Sequence, residues 1–330
     1  MKIDKIYCGD VLKVMQQMDA ESIDCIITSP PYWQLRDYGY AEQWGLEPTH
    51  QEYLEHLWQF MDECKRVLKK TGTCWINLGD TYGTTSGNLK QGNLGTNKIK
   101  YTGAIHDYNK PAAHKCLLLI PHRFAIGCID KGWIVRNDII WAKRNAMPES
   151  VTDRFSKKHE YIFLMVKDKK YYFDLDGIRE KQKDVSIKRY EYDFTGQEAG
   201  KSNNFKGSRM RNKSKEQFAN AFLTPIGKGA RPECHQNGKN PGTISDFWDI
   251  PTLPTSENHY ASYNFKLIEK PIIAGCSKGG IILDPFCGTG TTLVRALQLD
   301  RQVIGIDGSK EYCKIAQKKI DNHKAQLKLF

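Results

Sequence analysis

The chain has 330 residues, 40% apolar and 26% charged, with seven Trp, sixteen Tyr and thirteen Phe; so many large side chains exclude intrinsic disorder and supply a core without disulfide or metal staples. Lys and Arg number 49 against 38 Asp and Glu, and the net charge of +11 attracts polyanions, nucleic acid foremost. The opening Met1-Lys2-Ile3-Asp4-Lys5 is charged where a secretion signal needs an apolar run, and the most apolar later stretch, Cys116 to Ile129, carries His122 and Arg123, so neither secretion nor a membrane span is expected and the cytoplasm is the expected compartment.

Along the chain, Ile23 to Thr28 reads as a buried strand stopped by the prolines at 30 and 31. Residues 51–70 place Leu54, Leu57, Trp58, Met61, Cys64, Val67 and Leu68 at helical spacing, with Gly72 as the stop, and Thr73 to Leu78 is then a strand. A helix follows near 119–131, then strands at 133–142, 159–167 and Tyr171-Tyr172-Phe173. Near the end come a strand at Ile281-Ile282-Leu283, a helix over 290–299, a strand from Gln302 to Ile306, and a last helix with Ser309 as N-cap. Alternating strands and helices predict an α/β fold, an open sheet with helices on both faces.

Two stretches interrupt the alternation. Residues 83–110, rich in Gly, Asn, Thr and Lys, read as a long loop. Residues 181–245 carry thirteen Lys/Arg against six Asp/Glu, more than half of the excess charge in a fifth of the length, interleaved with Tyr190, Tyr192, Phe194, Phe205, Phe218 and Phe222. Cations that neutralise phosphates beside rings that stack on bases suit a nucleic-acid module, with Arg189, Lys206, Arg209, Arg211 and Lys213 as candidate DNA contacts. The ten Cys include no Cys-x-x-Cys pair and read as reduced, mostly buried thiols; Cys234-His235 reads as structural, so no metal is expected.

Two motifs carry chemistry. Leu283-Asp284-Pro285-Phe286-Cys287-Gly288-Thr289-Gly290-Thr291-Thr292 joins a strand to a helix, where Gly288 and Gly290 let a ligand approach the backbone and the helix start offers N–H groups to an anion. Leu293 replaces the third glycine of a dinucleotide fingerprint, and the Gly-Lys-Ser/Thr of a phosphate-binding loop is missing. Asp307, nineteen residues after Gly288 and just past the next strand, stands where doubly wound folds hold ribose hydroxyls, so a nucleoside-type ligand with a small anionic group is expected. The second motif, Thr28-Ser29-Pro30-Pro31-Tyr32-Trp33, puts free carbonyls and an exposed Tyr32 at a strand end, which suits a planar base bearing an amino group.

Together the motifs resemble those of the DNA amino-methyltransferases, whose Asp/Asn/Ser-Pro-Pro-Tyr/Phe catalytic motif matches Ser29, Pro30, Pro31 and Tyr32, and whose S-adenosylmethionine-binding Phe-x-Gly-x-Gly motif matches Phe286 to Gly290. Their order resembles the β group found in bacteria and phages. Tyr7 to Asp10 is similar to the family's acidic adenine-contact motif, Trp75 to Asp80 to a motif bordering the site, and Asn258 to Asn264 to the segment leading into the cofactor motif, although many members have Pro at the place of Asn264. Arg136 to Asp174, with Met147 to Ser150 and His159-Glu160-Tyr161, extends the resemblance, which covers 1–178 and 246–325.

The resemblance implies a doubly wound S-adenosylmethionine-dependent methyltransferase sheet, circularly permuted, with a catalytic half over 1–180, an inserted target-recognition region over 181–245 and a cofactor-binding half over 246–330. It implies S-adenosyl-L-methionine held by Asp10, Asn264, Asp284, Phe286, Cys287, Gly288, Thr289, Gly290, Thr291 and Asp307. Double-stranded DNA is the implied partner, together with a cognate restriction endonuclease where the enzyme serves a restriction system, the enzyme itself being a monomer or a homodimer. Methyl transfer to the exocyclic N4 amine of a flipped cytosine is preferred, because Ser-Pro-Pro-Tyr usually accompanies cytosine in the family; N6 of adenine is the alternative, and a non-catalytic nucleic-acid-binding module the distant one. Carbon-5 methylation needs a Cys nucleophile where Tyr32 stands.

Overall fold

The computed structural model describes residues 1–40, 43–83, 115–146, 148–180, 244–252 and 264–327. Residues 84–110 of the Gly/Asn-rich stretch, Met147, Cys234-His235, Asn258 to Tyr263 and the five candidate DNA contacts Arg189, Lys206, Arg209, Arg211 and Lys213 lie outside them. The chain divides into two compact units, Met1–Asp174 with Asp246–Phe330, and Leu175–Ser245, so the first boundary falls at 174/175 where the sequence suggested 180/181. Of the second unit the described part contains helix α4 (Leu175–Ile178), after which Arg179 donates to Asp176 at 2.7 Å.

In the first unit the described residues alternate as β1 (Lys5–Cys8), α1 (Val11–Met15), β2 (Ile23–Thr28), α2 (His50–Val67), β3 (Leu68–Leu78), α3 (Ile120–Asp130), β4 (Ile134–Ala142), β5 (His159–Val166), β6 (Phe247–Asp249), α5 (Phe265–Gly275), β7 (Ile281–Asp284), α6 (Thr291–Gln298), β8 (Gln302–Asp307) and α7 (Lys310–Leu327). They form one eight-stranded sheet in the order β1-β8-β7-β2-β3-β5-β4-β6. The first five strands in that order run parallel, β5 is antiparallel to both β3 and β4, and β6 pairs parallel with β4. The last two strands of the chain thus sit between its first two, the permuted order that the motifs implied.

Side chains alternate along a strand, so the sheet feeds two cores. Ile26, Ile76, Phe163 and Leu283 pack with α1, α2 and α3 on one face; Ile27, Trp75, Leu164 and Ile282 pack with α5, α6 and α7 on the other. Helix α2 begins with a capping box, the Thr49 hydroxyl accepting the Glu52 N–H while the Glu52 carboxylate accepts the Thr49 N–H, both at 3.2 Å. Its buried Tyr53, Leu54, Leu57, Phe60, Met61, Cys64 and Val67 give the stripe read from the sequence. The helix ends at Val67, earlier than expected, because Leu68 is already extended and pairs with Ile23 of β2, leaving Gly72 inside β3. The expected strand at 171–173 is absent; the segment is held instead by single bonds, the Tyr172 N–H to the Thr71 carbonyl and the Asp174 N–H to the Ala274 carbonyl. Of the nine described cysteines, all free, Cys8 and Cys116 are exposed and the rest buried. No helix among the described residues is long and apolar enough to cross a membrane.

Adjacent strands β2 and β7 are followed by helices on opposite faces, α2 and α6. The crevice at their carboxyl ends is therefore the switch point at which open α/β sheets bind ligands.

Candidate active site

Every strand-end motif read from the sequence emerges at this edge. On one side of the crevice, Cys8 of β1 pairs with Asp307 of β8, and the Gly9 N–H donates to the Asp307 carbonyl at 3.0 Å, which brings Asp10 beside the β8 end. Asp10 caps α1, accepting the Lys13 N–H at 3.0 Å. The Asp307 carboxylate accepts the Gly288 N–H at 2.9 Å with one oxygen and the Ser309 N–H at 2.8 Å with the other. Burial pushes its carboxyl above the ordinary range, and those two N–H groups pull it back towards the ionised form. An ionised carboxylate has about four acceptor sites, so two remain for hydroxyl donors.

Gly288 and Gly290 both lie at positive φ, 51° and 83°, and a Cβ on Gly290 would stand 3.0 Å from that of Ala316 on α7. Gly290 also precedes α6 without any side-chain cap on that helix, so the turn presents backbone rather than side chains. Of its neighbours, Cys287 and Thr289 are buried, and Phe286 packs against Trp44 and Phe60 at ring distances of 5.4 and 5.3 Å. Thr291 opens α6 half-buried. An aromatic group not foreseen surrounds the β8 end: Tyr40 packs against Gly308, and Tyr38 meets Tyr312 edge-on at 6.5 Å.

Two expected cofactor ligands turn out to hold the scaffold. Asp284, 1% exposed, accepts the Thr28 hydroxyl at 2.6 Å and the Phe286 N–H at 3.2 Å, tying β7 to the residue before Ser29. Burial pushes its carboxyl up to about 6. Asn264, also buried, caps α5 by accepting the Lys266 N–H at 3.0 Å and donates to the Pro251 carbonyl at 3.1 Å. Both side chains are engaged inside the protein, for the physical reason that a buried polar group must be paired.

On the other side of the crevice, β2 delivers Ser29-Pro30-Pro31-Tyr32. The buried Tyr53 of α2 donates to the Pro31 carbonyl at 2.9 Å and fixes the turn, whereas the Pro30 carbonyl receives no bond among the described residues. Tyr32 is not exposed as expected but half-buried. A Cβ on Gly79, just past β3, would lie 2.6 Å from the Tyr32 ring, so only glycine lets the ring lie there. Its hydroxyl lies 2.8 Å from Glu160 Oε2 and 3.1 Å from Asn77 Oδ1, and the Ser29 hydroxyl lies 3.5 Å from it. Burial, then the Glu160 charge, raises the Tyr32 phenol well above its usual pKa and keeps it protonated. Asn77 also donates to Glu160 Oε2 at 3.3 Å and to the Tyr161 carbonyl at 3.1 Å. Lys143 completes the set as the ion-pair partner of Glu160 Oε1, with its ammonium 4.3 Å from the centre of the Trp141 ring. Asp80 caps the start of α3, its Oδ1 accepting the Ile120 N–H at 3.1 Å.

Asn77, Gly79, Glu160 and Lys143 fall in segments noted for resemblance without a role, Thr28 was read only as the strand end that opens the Ser-Pro-Pro-Tyr turn, and Tyr53 carried no signal. A polar residue inside an apolar strand, as Asn77 is in β3, is the clue that was available.

The family model for the DNA methylases matches residues 23–318. This chain belongs to the DNA methylase family. It is 34% identical over 320 residues to Type II methyltransferase M.SmaI of Serratia marcescens, covering 96% of this chain and 90% of that one. Among solved structures, the cytosine-N4-specific PvuII DNA methyltransferase matches with a TM-score of 0.58 at 15% identity, over 97% of this chain and 91% of that one. A Thermus thermophilus protein crystallised with S-adenosyl-L-methionine matches with a TM-score of 0.54 at 19% identity, over 97% and 95%. The methylase is thus an α/β enzyme of the DNA amino-methyltransferase class, and both structural likenesses carry its fold.

Proposed function

We propose that this DNA methylase transfers the methyl group of S-adenosyl-L-methionine to the N4 amine of a cytosine flipped out of duplex DNA. The observation that carries the reading is the convergence of two chemically different half-sites on one crevice: an oriented carboxylate and a side-chain-free turn at β8 and β7, and a Ser-Pro-Pro-Tyr turn at the adjoining β2. The residues present fit the donor. Asp307 would hold the ribose hydroxyls, Asp10 the adenine side, and the backbone from Phe286 to Thr291 the amino-acid end, whose carboxylate suits N–H groups at a helix start. When bound, the donor supplies an electrophilic methyl on a sulfonium.

An exocyclic base amine is a weak nucleophile because its lone pair is delocalised into the ring. Ser29 Oγ and the Pro30 carbonyl accept hydrogen bonds from its two N–H groups and favour the pyramidal nitrogen that can attack. A neutral hydroxyl is not a useful base near pH 7, so Ser29 works by geometry and electrostatics. Tyr32 offers a ring face to the flipped base, and stacking worth about 1–3 kcal/mol offsets part of the unstacking cost. Cytosine is preferred over adenine on the Ser-Pro-Pro-Tyr resemblance.

Residues 181–245 are proposed to recognise the target, supported by their local charge and aromatic content. Neutralising Arg209 and Arg211 together should then flatten the slope of log K against log salt by about 1.8, at ~0.9 per phosphate contact. The reading as a whole is tested by mass spectrometry of nucleosides from DNA treated with the protein and S-adenosyl-L-methionine. N4-methylcytosine is the expected product; N6-methyladenine would reverse the base, and no methylated base in any duplex would end the reading.

A further inference from the structure

The charged pair beneath Tyr32 has no part in the chemistry described so far. Glu160 on β5 and Lys143 just past β4 belong to antiparallel strands at the far side of the crevice, with side chains only 14% and 19% exposed. A buried ion pair is weak support for folding, since apolar residues of similar volume often serve stability as well or better. Here the pair has a third member: Glu160 Oε2 accepts the Tyr32 hydroxyl at 2.8 Å, while Oε1 is held by Lys143. Asn77 bonds to the same carboxylate oxygen and to the Tyr161 carbonyl, which fixes the carboxylate from the side. At the ring itself the backbone of Gly79 closes off one edge. The Tyr32 ring is therefore clamped at two places, its hydroxyl by a carboxylate and its ring edge by a glycine backbone.

We infer that Glu160 and Lys143 are positioning residues for methyl transfer, holding the Tyr32 ring in one orientation so that the flipped base stacks on a surface already in place. The inference rests on the proposed reading of Tyr32 as the residue that receives the base. A ring free to turn about its χ angles has to be ordered each time a base is captured, and that cost falls on the transfer step. Glu160 removes it by a charge-assisted hydrogen bond, a stronger kind than a neutral one. Lys143 balances the charge of this half-buried carboxylate by pairing with its other oxygen, Oε1. The residues act through Tyr32 and touch neither the base nor the methyl donor.

A double-mutant cycle on single-turnover methylation of saturating duplex DNA tests this. Tyr32→Phe and Glu160→Ala should each lower the rate by about tenfold, the scale of one hydrogen bond to a charged group, with donor affinity by titration unchanged. The double variant should be no slower than either single one, since both remove the same bond. The paired exchange Glu160→Gln with Lys143→Met keeps an acceptor for the Tyr32 hydroxyl without leaving a buried charge, and should recover most of the rate; it also serves if Glu160→Ala does not fold. Multiplying effects, about a hundredfold in the double variant, would show that Glu160 acts independently of Tyr32 and overturn the inference alone. So would a wild-type rate in Tyr32→Phe, or a paired exchange as slow as Glu160→Ala. A wild-type protein that binds the donor yet methylates no DNA would overturn the base-stacking reading and this inference with it.

Discussion

The two sides of the crevice are built on different principles. The β1, β8 and β7 side is made of parallel strand ends that present backbone N–H donors, two glycines and the carboxylates of Asp10 and Asp307, all close in sequence to the strand that carries them. The β2, β3, β5 and β4 side is made of side chains that reach across strands: Tyr32 meets Asn77 and Glu160, 45 and 128 residues further on. A ligand with a constant shape can be held by backbone and short turns. A base that must be drawn out of a duplex needs a surface tuned by side chains, and those come from whichever strands the fold brings near.

Breaking the first side should cost the most. Asp307→Ala removes the proposed acceptor for the donor's hydroxyls and also frees the Gly288 and Ser309 N–H groups, so donor affinity measured by calorimetry should fall by about 10³-fold, the loss of roughly two bonds to a charged group. Retained affinity would remove Asp307 from the binding site.

The joint between the sides comes next. Asp284 has an ordinary carboxyl pKa of 3.8 and a folded value of about 6, so the fold prefers its protonated form. That preference stabilises the protein fully below pH 3.8 and is lost as pH rises through 6. Asp284→Asn keeps an acceptor for the Thr28 hydroxyl and has no charge to bury. The stability of the Asn variant relative to wild type should therefore grow between pH 4 and 7, by on the order of 3 kcal/mol in denaturant titrations. A pH-independent difference would mean that Asp284 does not titrate as its burial requires.

On the second side, Ser29→Ala should lower turnover on bound DNA by about 10²-fold with donor affinity unchanged, the scale for losing one preorganised hydrogen-bonding group. The smallest effect is expected from Gly79→Ala, whose methyl meets the Tyr32 ring at 2.6 Å. The ring must shift, and the methylation rate should fall by about tenfold at a stability cost of ~1–3 kcal/mol. A Gly79→Ala protein with a wild-type rate would show that the ring position is not critical.

The same contrast explains what could be read in advance. Residue patterns alone were enough for the α/β class, the buried strand at Ile23–Thr28, the strand from Gln302 to Ile306 that the structure extends by one residue, the amphipathic α2, and the placing of Ser29–Tyr32, Gly288–Gly290 and Asp307 at strand ends. These follow from local periodicity, capping and turn residues, which act within a few positions of one another. Long-range packing, by contrast, set β8 and β7 between β1 and β2, which brings the two half-sites to one crevice. It likewise turned Asp284 inward onto Thr28 across 256 residues, gave Asn264 to the start of α5, and laid Glu160 and Lys143 beneath a Tyr32 that the sequence suggested would be exposed. Such pairings depend on strand order and register, and a residue's neighbours along the chain carry no record of which strand will stand beside it.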